Sequence, residues 1–176
     1  MESTMLVPKK RNYNKAAWFY EEASNLYSTG RIKKAKASQI PLMEPGQKVL
    51  YLGVGTGEDA VLAAERGAEV TCVDLSGSMI KRVQDKLEKA DVSAELIVGD
   101  ATEHQRWDHY DVVATNFFLN CFREPMMVSM LQHATRLIKP GGRLMIADVA
   151  LAQGTLLSRV FNIGYLKAGM LSFWAL

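Results

Sequence analysis

The 176-residue sequence predicts an α/β fold, in which a doubly wound, mostly parallel sheet forms the middle of a three-layer α/β/α arrangement. Apolar runs typical of buried strands alternate with amphipathic helical segments over residues 45–150. Parallel strands need long connections, and helical crossovers provide them. A glycine-rich turn follows the first strand directly, as in open sheets that bind a ligand. The length and the 48% hydrophobic content suit one core, so we expect a single domain.

Two segments precede the predicted sheet. Residues 1–15 combine charges with a proline and are expected to form a flexible N-terminus, and residues 16–44 are expected to form a helical cap. Within the cap, apolar residues recur at helical spacing from Ala16 to Tyr27, and a second helix is predicted from Arg31 to about Gln39. Pro41 and the Pro45-Gly46 pair then turn the chain toward the first strand.

The elements of the core follow from apolar patterning and from caps. Helices are predicted over Glu58–Arg66, after the Ser76-Gly77-Ser78 cap, and after Pro125, and a turn is predicted at Lys139–Gly142. The predicted strands begin near Lys48 and cover Glu69–Val73, Ala94–Val98, Tyr110–Thr115 and Arg143–Asp148.

Composition and charge narrow the function classes. The net charge of +2 hides an excess of basic residues within residues 1–50. Solvated helix faces carry such runs more often than nucleic-acid sites do, so we do not expect nucleic acid as a partner. Cys72 and Cys121 form no Cys-x-x-Cys pair, and no histidine cluster has ligand spacing, so no metal is expected. The N-terminus lacks the apolar stretch of a signal peptide, which predicts a cytoplasmic protein.

Polar residues and glycines follow four successive predicted strands. Gly53–Gly57, Asp74, Asp100 and Asn116 each come where a strand ends. Because the carboxyl ends of parallel strands meet at one edge of the sheet, these residues are expected to line one crevice.

Each of these residues has a chemical interpretation and a simpler one. The glycine turn and the helix beginning at Glu58 offer backbone N–H groups, and Asp74 can accept both hydroxyls of a ribose. Asp100 can accept an adenine amine, Ala101 can donate its N–H to a ring nitrogen, and Leu75 can pack on the adenine face. Alternatively, Asp74 is a helix cap and Asp100 and Asn116 are ordinary turn residues. Their joint placement favours an adenosine-containing ligand.

Five short motifs occur in order along residues 45–150: Val49–Gly57 (VLYLGVGTG), Val73–Ser76 (VDLS), Gly99–Ala101 (GDA), Tyr110–Val113 (YDVV) and Leu137–Leu144 (LIKPGGRL). This set resembles the class I S-adenosylmethionine-dependent methyltransferases, and the glycine turn and the stretch from Gly141 to Ser158 are similar to the ubiquinone and menaquinone C-methyltransferases among them. The resemblance implies a Rossmann-like fold and S-adenosylmethionine as cofactor. The residues that it assigns to the cofactor are Gly53, Val54, Gly55, Thr56, Gly57, Glu58, Asp74, Leu75, Asp100, Ala101 and Asn116.

The sequence departs from that family in two places. The family usually has an acid where Tyr51 stands, and Glu58 matches a second acid that is the candidate to compensate. Residues 151–176 are apolar and helical in pattern, so the final antiparallel hairpin of the family is expected to be missing and the chain to be abbreviated at its C-terminus. This tail is expected to pack on the sheet, with substrate cover, a partner subunit or a membrane interface as alternatives.

For methyl transfer, the nucleophile must be held in line behind a sulfonium methyl group, and no covalent enzyme intermediate is needed. The predicted acceptor side consists of Phe117 and Asn120, which follow the fourth strand, and of Tyr20 and Tyr27 in the cap. Phe118 suits the acceptor as Phe117 does, and core packing is an equal alternative for both phenylalanines. The loop after the fourth strand lacks the Asn-Pro-Pro-Tyr turn of DNA amino-methyltransferases, so a small planar or apolar acceptor is expected.

No catalytic residue is assigned. His104 and His109 are conceivable bases but are expected to be surface residues, and His133 falls inside a predicted helix.

Two other functions remain open on the sequence alone. Gly55–Ala60 also satisfies the Gly-x-Gly-x-x-Ala pattern of nicotinamide-dependent oxidoreductases, although Asp100 would have no special role there. The substitution at Tyr51 also suits a degenerate methyltransferase fold that acts as a binding or regulatory protein. We expect a monomer or a homodimer.

Overall fold

The computed structural model describes residues 30–148, and the predicted α/β fold is confirmed there. Five parallel strands form one sheet in the order β3-β2-β1-β4-β5. The strands are β1 (Lys48–Leu52), β2 (Glu69–Asp74), β3 (Glu95–Val98), β4 (Tyr110–Asn116) and β5 (Ile138–Ala147). The chain winds outward from β1 to β3 and then returns to β4 on the other side. The carboxyl ends of β1 and β4 therefore flank the point where strand order reverses.

Helices cover both faces of this sheet. Their starts follow the predicted caps: Ser76 accepts a hydrogen bond from the backbone N–H of Met79, and Pro125 occupies the first turn of the last helix. The helices are α1 (Arg31–Ala37), α2 (Glu58–Glu65), α3 (Gly77–Lys89) and α4 (Glu124–Leu137). Short 3₁₀ turns lie at Ile40–Leu42, Ala101–Glu103 and Leu119–Cys121. In the part of the chain described here, no helix has the length and hydropathy of a membrane span.

Two hydrophobic cores result, one on each face, because side chains alternate along each strand. On one face, Val49 and Val112 pack with the alanines of α2 and with Val83 of α3. On the other face, Leu50 and Val113 pack with Met130 of α4 and its neighbours. The helices packed on the two faces leave the carboxyl ends of the parallel strands together at one edge of the sheet.

Two boundaries differ from the sequence-based expectation by more than one residue. The predicted turn at Lys139–Gly142 belongs to β5, whose pairing with β4 shifts register between Tyr110 and Val112. A Cβ at Gly142 would lie 2.8 Å from the Asp111 carbonyl oxygen, so the absence of a side chain lets the two strands approach there. The second cap helix ends at Ala37, because a 3₁₀ turn containing Pro41 follows it.

Several predictions concern segments outside the described residues. These are the flexible N-terminus, the first cap helix with Tyr20 and Tyr27, and the apolar tail with the expected absence of a final hairpin.

Candidate cofactor site

The glycine turn after β1 is built from three left-handed glycines. Gly53, Gly55 and Gly57 have φ angles of 65°, 58° and 71°, which residues with a Cβ rarely adopt. The backbone N–H groups of Gly53 and Val54 donate to the Val73 carbonyl at 2.9 and 3.2 Å. The turn is therefore tied to the end of the neighbouring strand β2.

The three glycines differ in what surrounds them. A Cβ on Gly57 would lie 2.6 Å from Val83 Cγ2, and one on Gly53 would lie 2.2 Å from Cδ2 of the Phe118 ring. A Cβ on Gly55 would meet no atom within 4 Å. Close packing thus explains two of the glycines, and Gly55 presents bare backbone toward open space where a ligand can approach.

Asp74 connects the glycine turn to the next helix. Its carboxylate accepts the backbone N–H of Gly55 at 2.9 Å and that of Ser76 at 2.8 Å. Burial raises the pKa of this carboxyl group, and the two backbone hydrogen bonds partly oppose the rise. A carboxylate offers about four acceptor positions, so Asp74 retains capacity for ligand hydroxyls in addition to these bonds.

Exposed apolar side chains stand beside Asp74. Leu75 is 57% exposed and Val98, at the end of the adjacent strand β3, is 59% exposed. Asp100 accepts the N–H and the hydroxyl of Thr102, each at 2.8 Å, and so caps the 3₁₀ turn in which Ala101 is buried. Leu75 and Val98 thus form an exposed apolar wall next to Asp74.

Glu58 lies on the other side of the turn, where it bonds to Thr56 and Lys86. Its carboxylate is 2.5 Å from Lys86 Nζ and accepts the Thr56 hydroxyl at 2.5 Å, while Lys86 also donates to the Thr56 carbonyl at 2.8 Å. Burial alone would raise the pKa of Glu58, but the bonds from Lys86 and Thr56 outweigh it and lower the pKa to about 2. Glu58 is thus ionised at neutral pH and holds the turn against α3.

Asn116, at the end of β4, belongs to a group of buried polar side chains that we call the amide network. Its amide exchanges two hydrogen bonds with Gln39, of 2.9 and 3.0 Å, and its oxygen accepts the Ala147 N–H at 3.1 Å. Its nitrogen also donates to Asp59 Oδ2 at 2.9 Å, and Asp59 Oδ1 lies 3.3 Å from Lys36 Nζ. A direct contact between Asn116 and a cofactor stays a prediction.

The acceptor-side loop begins at Phe117, which has a φ of 54°. Phe118 follows, and its ring packs edge-on against that of Phe122 with centroids 4.9 Å apart. The backbone N–H of Asn120 donates to the Asp148 carboxylate at 3.1 Å. The Phe118 ring also lies against Gly53, so this loop contacts the glycine turn through Phe118.

Tyr51 does not reach the crevice. Its hydroxyl donates to the Asp59 carbonyl at 3.2 Å and lies 3.8 Å from Met43 Sδ. Burial raises the pKa of this phenol, so it remains neutral at physiological pH. Tyr51 packs beneath α2 and does not place a charge at the turn.

The expectation that His104 is a surface residue is wrong. The side chain is buried, with 9% exposure, and Nε2 lies 2.8 Å from the Tyr110 hydroxyl. His109 also packs on Tyr110, at the amino end of β4. Neither histidine lies at the carboxyl edge, so the structure places both conceivable bases away from the crevice.

Sequence reasoning missed the part that Asp59 plays in the site and the contact of Phe118 with the glycine turn. Asp59 shares a buried helix face with Ala60 and Ala63, and an acid on an apolar face was a usable signal. Phe118 was expected on the acceptor side, but its contact with the glycine turn gave no local signal because that contact depends on tertiary packing. Among residues 30–148, no group of three or more His, Cys, Asp or Glu side chains is arranged to hold a metal.

A glycine turn after β1, an acid after β2 and an apolar wall at the β3 end define a Rossmann-like protein of the nucleoside-cofactor class. The family model described as "Methyltransferase domain" matches residues 49–142, more than half of the chain. The protein therefore belongs to this family, and the resemblance to class I S-adenosylmethionine-dependent methyltransferases is confirmed.

Named relatives agree with this assignment. The chain is 28% identical to a ubiquinone/menaquinone biosynthesis C-methyltransferase of Rhizobium leguminosarum bv. trifolii, over 85% of this chain and 61% of the relative. It is 31% identical to the 27-O-demethylrifamycin SV methyltransferase of Amycolatopsis mediterranei, over 80% of this chain and 52% of the relative. The chain thus spans about half to three fifths of the length of these relatives.

Solved structures show the same fold. The 1,6-didemethyltoxoflavin-N1-methyltransferase of Burkholderia thailandensis superposes with a TM-score of 0.57 at 22% identity, covering 81% of this chain and 66% of that one.

Proposed function

We propose that this protein is an S-adenosylmethionine-dependent methyltransferase that transfers a methyl group by direct in-line displacement to a small, planar or apolar acceptor. The observation that carries the proposal is the open face of Gly55 beside the Asp74 carboxylate, in a chain of the methyltransferase family. S-adenosylmethionine, when bound, supplies a sulfonium methyl group that is already activated for displacement.

The residues at the crevice suit the parts of that cofactor. Asp74 would accept the ribose hydroxyls with the acceptor capacity that Gly55 and Ser76 leave. Leu75 and Val98 would flank the adenine, and Asp100 with the Ala101 N–H would bond its edge. Gly53–Gly57 would face the sulfonium and methionine portion, with Glu58 holding the turn in place.

The acceptor would lie against the loop after β4. Phe117 and Phe118 supply aromatic surface there, and Asn120 supplies a polar side chain, which suits a planar acceptor with few charges. Two of the relatives are named for small-molecule methylation, one in ubiquinone/menaquinone biosynthesis and one on 27-O-demethylrifamycin SV, which supports a small-molecule acceptor. Tyr20 and Tyr27 remain candidates for the same pocket.

The free cysteines bear on where the protein acts. Cys72 and Cys121 are free thiols, as suits a reducing compartment, and we infer a cytoplasmic protein that acts as a monomer or homodimer. Contact of residues 151–176 with a membrane surface belongs to the same proposal.

The direct test is calorimetric titration with S-adenosylmethionine, S-adenosylhomocysteine and NAD. We expect both sulfur nucleosides to bind, NAD not to bind, and Asp74→Ala to weaken binding at least about tenfold, because the ribose loses its acceptor. Asp85→Asn, in an exposed ion pair with Lys81 on α3, is the control and should bind as the wild type does.

Thermal unfolding of each variant shows whether Asp74→Ala keeps its fold, since the Gly55 N–H loses its partner. Binding of NAD alone would overturn the proposal, and so would the absence of binding to either sulfur nucleoside by the folded wild-type protein.

A further inference from the structure

The buried carboxylate of Asp59 has a position that general stability does not explain. The residue is 2% exposed, and its ion partner is Lys36. Moving an ion pair out of water is costly, and apolar residues of similar volume are often equally stable in its place. Ala60 and Ala63, on the same helix face, are apolar. We therefore look to the side chain that the Asp59 carboxylate bonds, the Asn116 amide, for the role of this residue.

Asp59 sets the orientation of the Asn116 amide. The carboxylate can only accept a hydrogen bond and the Ala147 N–H can only donate one, so the amide nitrogen must face Asp59 and the amide oxygen must face Ala147. The side chain of Gln39 completes the set with one donated and one accepted bond. All four hydrogen-bonding positions of the Asn116 amide are then used, and it cannot rotate without breaking several bonds.

The oriented amide immediately precedes a strained turn. Phe117 has a φ of 54°, a left-handed conformation that is rare for a bulky side chain and persists only where its surroundings hold it. The Phe117 N–H donates to the Ala147 carbonyl at 2.7 Å, so the turn is held by β5 and by the amide network. This turn delivers the Phe118 ring onto Gly53.

We propose that Asp59 is a positioning residue of the cofactor site. Through Asn116 it holds the left-handed turn at Phe117, and so it fixes Phe118 relative to the glycine turn. Asp59 touches no ligand in this role. The effect on ligand affinity rests on the proposed function, but the effect on the turn does not.

The test replaces Asp59 by Asn, which keeps the volume but presents an amide that can accept or donate. The constraint that Asp59 places on the Asn116 amide is thereby removed, while the Ala147 N–H still faces the amide oxygen. We expect amide hydrogen exchange over residues 117–121 to accelerate about tenfold and the Kd of S-adenosylhomocysteine to rise about tenfold. Asp85→Asn makes the same chemical change in an exposed pair on α3 and should alter neither quantity.

Phe117→Gly distinguishes positioning from a merely structural role. Glycine adopts a φ of about 54° without strain, so in this background the turn no longer depends on the amide network. Adding Asp59→Asn should then leave exchange over residues 118–121 unchanged, whereas loss of packing alone would act equally in both backgrounds. If Asp59→Asn does not fold, Lys36→Met combined with it removes both charges and should give the same acceleration.

The proposal is overturned if folded Asp59→Asn has the same exchange rates and the same Kd as Asp85→Asn. It is also overturned if Asp59→Asn accelerates amide exchange equally with and without Phe117→Gly. If no protein, including the wild type, binds S-adenosylhomocysteine, the proposed function fails. The exchange rates of the turn then still decide the role of Asp59.

Discussion

At the scale of single residues, Gly55 and Gly57 have the same backbone conformation for different reasons. Alanine at either position takes on left-handed strain of about 1 kcal/mol. At Gly57 the new Cβ would also lie 2.6 Å from Val83 Cγ2, which adds overpacking of about 1–3 kcal/mol. We therefore expect Gly57→Ala to lower the free energy of unfolding, measured in urea, clearly more than Gly55→Ala.

The ligand should reverse that ranking. Gly55→Ala places a methyl group on the open face of the turn, so this variant should keep most of its stability and lose affinity for S-adenosylhomocysteine. In the Gly57→Ala background, Val83→Ala should cost less than it does in the wild type, because it relieves the contact. Equal stability losses for Gly55→Ala and Gly57→Ala would show that packing against α3 is not what Gly57 provides.

At the scale of elements, the sequence predicted what local patterns determine. The strand starts at Lys48, Glu69 and Tyr110 agree with the structure because each apolar run is bounded by turn residues. The bond between Gln39 and Asn116 joins residues 77 positions apart, so no periodicity could reveal it. The extension of β5 through Lys139–Gly142 was missed because it depends on how closely β4 approaches.

The connection from β3 to β4 leads to a prediction on pH dependence. In this connection, His104 is buried against Tyr110. Burial together with the nearby Arg106 cation lowers the pKa of the His104 imidazole. The unfolded chain, with a histidine pKa near 6.5, then binds more protons than the folded protein. The contribution of His104 is therefore fully present above about pH 6.5, and it is lost as pH falls through the lower folded value.

Replacing His104 by Gln removes this titration. We expect the difference in urea-derived stability between pH 7.5 and pH 5 to be smaller in His104→Gln than in the wild type. An unchanged difference would mean that other groups account for the pH dependence.

At the scale of the whole molecule, two cores on opposite faces of one sheet leave the functional residues at a single edge. The sequence predicted this arrangement because strand alternation with helices determines the layers, and parallel strands place their carboxyl ends together. Polar groups inside the layers were not foreseen, since their partners come from distant segments. Whether such a buried polar group has a hydrogen-bond partner predicts how the free energy of unfolding changes when the group is replaced by an apolar one.

Thr115 and Thr71 provide a matched comparison of this kind. Thr115 is fully buried on β4, and its hydroxyl has no hydrogen-bond partner within residues 30–148, whereas the Thr71 hydroxyl on β2 lies 3.3 Å from Glu95 Oε2. A buried hydroxyl without a partner costs about 1–3 kcal/mol, and a satisfied one contributes about 1 kcal/mol. We expect Thr115→Val to raise the free energy of unfolding in urea by about 1 kcal/mol and Thr71→Val to lower it by a similar amount. The opposite signs of the two changes are what distinguish the satisfied hydroxyl of Thr71 from the unsatisfied hydroxyl of Thr115. A loss of stability in Thr115→Val would mean that the Thr115 hydroxyl has a partner beyond residues 30–148.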